Sequence, residues 1–193
     1  AYRAGDPKPW HAAETNPQTF EAGASPRDIM KAARLDYEVQ LVPNCFPDGS
    51  SIPESFHISR VDSPDVVFGR FVAGDWNPVQ NESLFDLAAH IEEEHGFQPI
   101  TAGGLFGGSK VFVQLETGQE FSLAGNDRLV SRLLSTVSHI GSESNKFIGC
   151  NTRAVCDNTV RAATGEGAGI ICHDHRVEFD KDAITQAIGL NAA

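Results

Sequence analysis

The stretch Arg128-Leu-Val-Ser-Arg-Leu-Leu-Ser-Thr-Val-Ser-His-Ile-Gly-Ser142, followed by Lys146-Phe-Ile-Gly-Cys-Asn-Thr-Arg-Ala-Val-Cys-Asp-Asn-Thr159, decides the fold class. From Lys146 onward, Ile148 and Cys150 alternate with Phe147 and Asn151, which is the period of a strand. We predict that Asn151 and Arg153 share one face of this strand. A short helix should then begin at Asp157 or Asn158 and run through Ala163.

The first half of this stretch is open to two interpretations. Leu129, Val130, Leu133, Leu134 and Val137 have the spacing of an amphipathic helix. The ending Ser-Thr-Val-Ser favours a strand, and periodicity alone does not decide between them.

The rest of the chain indicates antiparallel strands with a few helices. Alternating polarity and short polar connections predict a meander of strands at residues 37–42, 56–61 and 66–72, two strands around a glycine-rich hairpin within 100–115, a short strand at 121–123 and a last strand at 170–177. Helices are predicted from Ser25 as N-cap to Leu35, from Asn81 as N-cap to Gly96, and from Asp182 to Leu190, with a loop at 164–169. The predicted fold class is α+β, an antiparallel sheet of meander and hairpins flanked by a few α-helices.

The length of 193 residues suits one domain. Residues 1–24 are rich in Pro, Gly, Ala and Thr, so we predict an extended N-terminal arm at 1–24 and a single α+β domain at 25–193. The first residue is not Met, and we expect the natural chain to extend beyond this sequence, with a C-terminal part missing. No apolar run approaches ~20 residues and no signal peptide is recognisable, so we expect a cytoplasmic protein.

The charge is unevenly distributed. The net charge of −11 argues against a broad nucleic-acid-binding surface. Between Lys110 and Arg161, however, six basic and five acidic side chains leave this third near +1, whereas the remainder carries −12. The middle of the chain could therefore form a basic groove in an acidic body, or simply an ordinary surface.

Known motifs of catalysis and metal binding are incomplete in this sequence. Gly103 and Gly108 have phosphate-loop spacing, but Ser109-Lys110 is in the wrong order and a strand follows instead of a helix. His173 and His175 could begin a metal site, yet no third ligand is suggested nearby. The cysteines form no CxxC pair, and Cys150 and Cys156 lie too far apart on one strand to bond, so we expect buried free thiols. We therefore predict no metal and no cofactor.

Several short motifs occur in an order that resembles a known family. They are Gly5 with Pro9-Trp10-His11, Leu35-Asp36-Tyr37-Glu38-Val39, Asn77-Pro78-Val79-Gln80-Asn81, Thr101-Ala102-Gly103-Gly104, Ser138-His139 before Gly141-Ser142, and Arg153-Ala154-Val155-Cys156-Asp157-Asn158-Thr159. Together they resemble the phage/plasmid-like family of uncharacterised proteins carried on prophages, phages and plasmids, over nearly the whole chain. The sequence departs from that family at Ile140, where Asp is usual, and at Ala12-Ala13, where Leu-Gly is frequent. The resemblance implies a mobile-element protein in a bacterial host and supplies no activity.

The first functional hypothesis is a DNA-processing protein that binds single-stranded DNA and promotes annealing or recombination as a homo-oligomer. The order of strands and helices is similar to that of phage annealing proteins, and a basic groove beside aromatic rings suits single strands. The predicted nucleic-acid-binding residues are Arg128, Arg132, Lys146, Phe147, Asn151, Arg153 and Arg161, with Trp76 as a second stacking ring.

Two alternatives stay open. A non-catalytic phage protein, either a counter-defence factor or a structural component, would bind a host or phage protein through its acidic flanks. An enzyme is less favoured, because Ser138 and His139 point to opposite faces of a strand and cannot act directly on each other. His139 could act with an acid from elsewhere, but no residue is identified as that acid, and we predict no catalytic residue.

Overall fold

The structure, a computed structural model, describes residues 2–3, 19–20, 23–122, 128–151, 157–166 and 170–189. Side chains are described within these ranges except at 2–3, 19–20, 70–72, 119–122, 128–129, 157 and 166. In chain order the elements are β1 (Tyr2–Arg3), β2 (Thr19–Phe20), α1 (Pro26–Ala32), β3 (Val39–Cys45), β4 (Ser51–Arg60), β5 (Val67–Val72), α2 (Asn81–His95), β6 (Gln98–Leu105), β7 (Lys110–Ser122), β8 (Arg128–Ser138), β9 (Asn145–Cys150), α3 (Asp157–Glu166), β10 (Ile171–His173) and α4 (Lys181–Ala187).

Two antiparallel sheets and four helices confirm the predicted α+β class for the described part of the chain. The smaller sheet has the order β3-β4-β5 and the larger one has the order β10-β9-β8-β7-β6. Every neighbour in either sheet is also the neighbouring strand in sequence, which is the predicted meander. A separate short pair joins β1 to β2 in parallel.

The larger sheet is covered on both faces. Val111, Val113 and Leu115 belong to a core that α1, α2 and the smaller sheet complete, and we call this side the α2 face. Phe112, one residue out of step, packs with Leu134 and Ile148, and with Val160 and Ala163 of α3, on what we call the α3 face. Successive residues of a strand point to opposite faces, so β7 contributes alternately to two cores.

The burial of both faces explains why β8 had an ambiguous pattern. Leu133 lies on the α2 face and Leu134 on the α3 face, so apolar residues come in adjacent pairs instead of alternating. Such pairs imitate helical spacing, but the segment is a strand of 11 residues. The strand alternative was the correct one.

Several predicted boundaries were wrong by a few residues. Strand β3 ends at Cys45 and strand β4 begins at Ser51, so both strands extend into the loop that was predicted at 43–53. The strand from Lys146 ends at Cys150, and β10 is only three residues long. Helix α3 continues to Glu166, into the predicted loop at 164–169.

The starts of α1 and α2 differ in how they are capped. Ser25 caps α1 as predicted, by accepting from the backbone N–H of Asp28, with Pro26 following it. Asn81, the predicted cap of α2, is instead the first helical residue, and its side chain is buried. Gln80 holds the cap position, and its amide group bonds both backbone groups of Val39 at 2.9 Å. The start of α2 is therefore fastened to β3.

Most of the predicted arm at 1–24, including Trp10, lies outside the described residues, so the division into arm and domain stays a prediction. Cys150 is buried as predicted, whereas Cys45 and Cys172 are exposed, and Cys156 is not among the described residues. No helix in the described ranges is both long and apolar enough to cross a membrane.

Candidate functional site

Those predicted nucleic-acid-binding residues whose side chains the structure describes do not form one surface. Lys146 and Arg161 meet at a pocket on the α3 face. Arg132 and Asn151 lie near the other end of the β8–β9 ladder, where Arg132 pairs with Cys150. Thr136, the partner of Lys146, follows Arg132 by four positions, which is about 13 Å along a strand. The side chain of Arg128 and the whole of Arg153 lie outside the described residues.

The pocket has a volume of about 250 Å³ and is formed where α3 crosses the larger sheet. The β7–β8–β9 register places Lys110 opposite Ser138 and Lys146 opposite Thr136, so both lysines lie at the same end of the sheet. Helix α3 supplies the opposite wall. We call this cavity the basic pocket, and its lining residues are Lys110, Thr136, Glu143, Lys146, Val160, Arg161 and Thr164.

Three cations line the basic pocket against one carboxylate. The Lys110 Nζ lies 2.5 Å from Glu143 Oε2, and the Lys110 side chain is only 16% exposed. The half-buried Lys146 ammonium has no hydrogen bond or ion pair with any described residue, and Arg161 is exposed. A half-buried charge that is left uncompensated attracts an anion. The pocket is thus a local excess of positive charge on a chain of net charge −11.

Arg132 does not add to the positive charge of the basic pocket. Its guanidinium lies 3.4 Å from Glu116 Oε1 and donates to the carbonyl oxygens of Asn151 and Val130. The side chain is 14% exposed. The charge and donors of Arg132 are thus engaged within the protein, and its contact with DNA stays a prediction. Asn151 itself is exposed, and its role stays a prediction.

The two predicted stacking rings are also buried. Phe147 is 1% exposed and packs in the core of the α2 face, with its ring centroid 6.2 Å from that of Phe179. The alternation in β9 was predicted correctly, but the side of Phe147 is a core and not a groove. Trp76 is 8% exposed and stacks on His175 at 4.3 Å between ring centroids. Phe147 therefore presents no exposed face in this structure, and one face of Trp76 is occupied by His175.

Sequence reasoning missed two residues near the basic pocket. Lys110 was part of the charge balance, yet only the hairpin register shows that it stands beside Lys146. Phe106 lies in the turn that follows Leu105, the partner of Lys110, and it is 55% exposed. Its φ of 51° is rare for a large side chain. The glycines on either side of Phe106 were the only signal that this turn had an unusual backbone.

The Ser138-His139 motif forms no nucleophile–base pair in this structure. The Ser138 hydroxyl accepts from the N–H of Ile140, while the His139 ring bonds Asn81 at 2.9 Å. Asn81 donates its amide to the carbonyl of Leu35, so its oxygen faces His139, which must donate from Nε2. The His139 ring is 0% exposed, and burial together with nearby His175 lowers its pKa to about 3.

His139 joins four parts of the molecule. Its ring stacks on Phe68 of β5 at 5.7 Å and meets Tyr37 edge-on at 6.4 Å. It follows β8 directly and bonds α2 through Asn81. The hydroxyl of Tyr37 in turn donates to the carbonyl of Gly108 at 2.5 Å. The motif therefore marks where the smaller sheet, α2 and the larger sheet meet.

A second cavity of about 390 Å³ lies on the other side of Glu143. It is lined by the stacked Trp76 and His175, by the loop of residues 141–144, and by Asp75, Asp174 and Arg176. Arg176 pairs with Asp75 at 3.2 Å, and burial lowers the pKa of His175. We call this the acidic cavity, because its carboxylates outnumber its one arginine.

His173 and His175, the two histidines that could begin a metal site, have different hydrogen-bond partners. His173 bonds Asn145 and the carbonyl of Glu178, whereas His175 lies past the end of β10, bonded to the carbonyl of Glu143. Within the described ranges, no group of three or more His, Cys, Asp or Glu side chains could hold a metal ion.

Residues 70–192 match the model of a protein family described as a domain of unknown function (DUF932). The chain belongs to the DUF932 family. The match covers the larger sheet, α2, α3 and α4, and includes all of the basic pocket as well as His139 and Asn81. The DUF932 region excludes α1, β3 and β4. Neither the comparison with curated proteins nor that with solved structures gave a match.

Proposed function

We propose that this DUF932 protein binds single-stranded DNA, with the basic pocket as its phosphate-binding site. The observation that supports the proposal is the ammonium of Lys146, which has no charged partner among the described residues and lies beside Lys110 and Arg161. Phosphate contacts supply most of the affinity of proteins that bind DNA without sequence preference. An acidic body around one basic pocket also limits binding to that place.

The aromatic ring of Phe106 is the group that would favour single-stranded over duplex DNA. Phe106 lies in the turn that directly precedes Lys110, and it is the most exposed of the described aromatic side chains at 55%. Aromatic rings stack on unpaired bases of any sequence, whereas the bases of a duplex are not accessible to them. Phosphate binding in the pocket with stacking on Phe106 thus favours single strands.

Replacing the pocket cations should weaken DNA binding in a salt-dependent manner. Lys146→Gln and Arg161→Gln should each lower the affinity for a fluorescent oligonucleotide by about fivefold at low salt, and each should reduce the slope of log K against log salt by about 0.7. Phe106→Ala should weaken the single strand more than the duplex. Fluorescence anisotropy at four salt concentrations measures both quantities.

Lys31→Gln is the matched control, because Lys31 is an exposed lysine on α1, on the opposite side of the larger sheet. It should bind as the unaltered protein does. Absence of binding to any oligonucleotide at low salt, or equal losses in Lys31→Gln and Lys146→Gln, would refute the proposal.

The family resemblance supports a wider setting for this activity. We propose that the protein is encoded by phages or plasmids, acts in the cytoplasm of the bacterial host, and promotes annealing or recombination as a homo-oligomer. Phage annealing proteins act in this way, and the antiparallel sheet with flanking helices is similar in kind.

A second candidate is a protein-binding role, as a counter-defence factor or phage component. Val61, Val66 and Val67 are all exposed around the β4–β5 turn, so one hairpin presents several apolar side chains to solvent. Clustered exposed apolar residues are typical of protein-interaction sites. Indifference to DNA together with capture of a host or phage protein would favour this candidate.

A further inference from the structure

The connection between β8 and β9, residues 139–144, brings a carboxylate into the basic pocket. Its backbone is held at Glu143, where the N–H donates to the carbonyl of Ile140 at 3.0 Å and the carbonyl accepts from His175 Nε2 at 2.9 Å. The Glu143 side chain is 37% exposed and borders both the basic pocket and the acidic cavity. The backbone of Glu143 is therefore fixed, whereas its carboxylate can change position without disturbing these two hydrogen bonds.

The contact between Lys110 and Glu143 is an ion pair without the geometry of a hydrogen bond. Lys110 Nζ and Glu143 Oε2 lie 2.5 Å apart, yet Oε2 has no hydrogen-bond partner among the described residues. An ammonium group carries three N–H donors. The donors of Lys110 are thus available to an anion whose oxygens are better placed.

A phosphate group could contact both lysines of the pocket, whereas Glu143 contacts one. Lys110 and Lys146 lie on β7 and β9 at the same end of the sheet, and both line the pocket. Within the described ranges, Glu143 forms an ion pair with Lys110 but not with Lys146. A phosphate beside Lys110 would lie against the Glu143 carboxylate, and two negative charges at that distance repel each other. The two anions therefore exclude each other from Lys110.

We propose that Glu143 competes with a phosphate group of DNA for Lys110, so that tight binding requires the Lys110–Glu143 ion pair to open. This inference rests on the proposed function, since it concerns the phosphate contact of the same pocket. Glu143 lowers the affinity of the pocket for phosphate. It also stabilises the free protein, because it supplies a counter-charge to Lys110, whose side chain is only 16% exposed.

Glu143→Gln removes the carboxylate charge and keeps the backbone contacts of the loop. It should bind a fluorescent single-stranded oligonucleotide about fivefold more tightly than the unaltered protein at low salt. The slope of log K against log salt should become steeper by about 0.7, because Lys110 then contacts a phosphate.

Glu94→Gln is the matched control, because it changes the net charge equally at an exposed position of α2, on the other face of the larger sheet. It should leave the affinity unchanged. An equal gain in Glu94→Gln and Glu143→Gln would mean that overall charge is the cause, and would overturn the inference.

Two further variants test whether Glu143 acts through Lys110. Glu143→Gln combined with Lys110→Gln should bind no more tightly than Lys110→Gln alone, since the group that Glu143 occupies is then missing. Glu143→Asp keeps the charge but shortens the side chain, so it should give a smaller gain than Glu143→Gln. Thermal melting checks that each variant is folded, and Glu143→Asp serves as the test if Glu143→Gln is not.

Melting in the presence of inorganic phosphate tests the same competition without DNA. In chloride buffer Glu143→Gln should melt at a lower temperature than the unaltered protein, because Lys110 then lacks its counter-charge. Added phosphate should raise the melting temperature of Glu143→Gln more than that of the unaltered protein, because a ligand stabilises the form that binds it more tightly.

The two readouts separate this inference from the proposed function. Unchanged or weaker oligonucleotide binding by folded Glu143→Gln or Glu143→Asp would overturn the inference and leave DNA binding intact. Absence of oligonucleotide binding by every variant would overturn the proposed function. In that case a larger phosphate shift in Glu143→Gln would still support competition for Lys110, and equal shifts would overturn it.

Discussion

At the scale of single residues, His139 is the side chain with the most unusual environment. It is buried in a position where protonation would place a charge among Phe68, Tyr37 and the backbone of β8. Within the described residues its Nδ1 has no hydrogen-bond partner, and its Nε2 is bound to Asn81. The neutral ring is therefore the form that the fold accommodates.

We predict that acid destabilises this protein through His139. The pKa of His139 is about 3 in the folded state and about 6.5 when unfolded. The unfolded chain therefore takes up a proton first, and stability is complete above about pH 6.5 and declines as the pH falls toward 3. The loss should reach about 1.4 kcal/mol per pH unit from this residue. Urea unfolding between pH 7 and 5 measures it.

His139→Gln should flatten this dependence while lowering stability at neutral pH, because Gln does not titrate. His175 adds a contribution of the same sign, since burial lowers its pKa as well. His95→Gln, at the half-buried last residue of α2, serves as the control. If His139→Gln keeps the full slope of the unaltered protein, the buried neutral ring is not its source.

Residue roles were the part that the sequence predicted least well. Asn81 is of a residue type that is favoured at helix N-caps, but its amide donates to the carbonyl of Leu35, 46 positions away in the sequence. In the sequence, Arg132 looks like a basic side chain without an acidic partner. Its partner Glu116 is brought close only by the β7–β8 register. Long-range pairing decides both roles, and local pattern does not contain it.

At the scale of elements, the β6–β7 hairpin depends on a tightly constrained turn. Gly108 has a φ of 97°, and a Cβ atom there would lie 2.6 Å from the Tyr37 hydroxyl. Gly107 also has a positive φ, of 69°, but a Cβ atom there would meet nothing within 4 Å. Neighbouring glycines thus share a backbone preference and differ in available space.

We predict that Gly108→Ala costs more stability than Gly107→Ala. In both variants the new alanine must adopt a left-handed backbone conformation, which costs about 1 kcal/mol in each. Only Gly108→Ala also pushes Tyr37 away from its hydrogen bond, which should add about 1–3 kcal/mol. Urea unfolding of both variants measures the difference. Equal losses would show that Tyr37 moves aside without cost.

Elements themselves could be predicted from the sequence to a large extent. The Ser25-Pro26 start, the Gly96 stop and the glycine-rich hairpin have local signals, and each is where expected. The sequence could not decide β8, because burial of both faces removes alternation from Leu133 and Leu134. The same double burial hides Phe147, which alternation alone assigned to an open face.

At the scale of the whole molecule, the larger sheet separates two cores that should both be essential. Leu133 is 3% exposed on the α2 face, and Leu134 is 0% exposed on the α3 face. We predict that Leu133→Ala and Leu134→Ala each destabilise the protein by about 2–5 kcal/mol. Denaturant unfolding measures both losses.

Val177→Ala, at a side chain that is 58% exposed, should change stability little and serves as the control. A small loss for Leu134→Ala alone would mean that α3 covers its face only loosely. The basic pocket would then lack a firm wall, because Val160 and Arg161 of α3 line it.

The meander order of the larger sheet also sets how the molecule can assemble during synthesis. Strands β6 to β9 leave the ribosome in the order in which they pair, so each new strand finds its partner already made. Short-range pairing of this kind closes small loops and is fast. The smaller sheet is synthesised earlier, and its core residues Val39 and Ile58 stay exposed until α2 and the larger sheet cover them. Nascent chains that stop before β8 would therefore carry exposed apolar surface and depend most on chaperones.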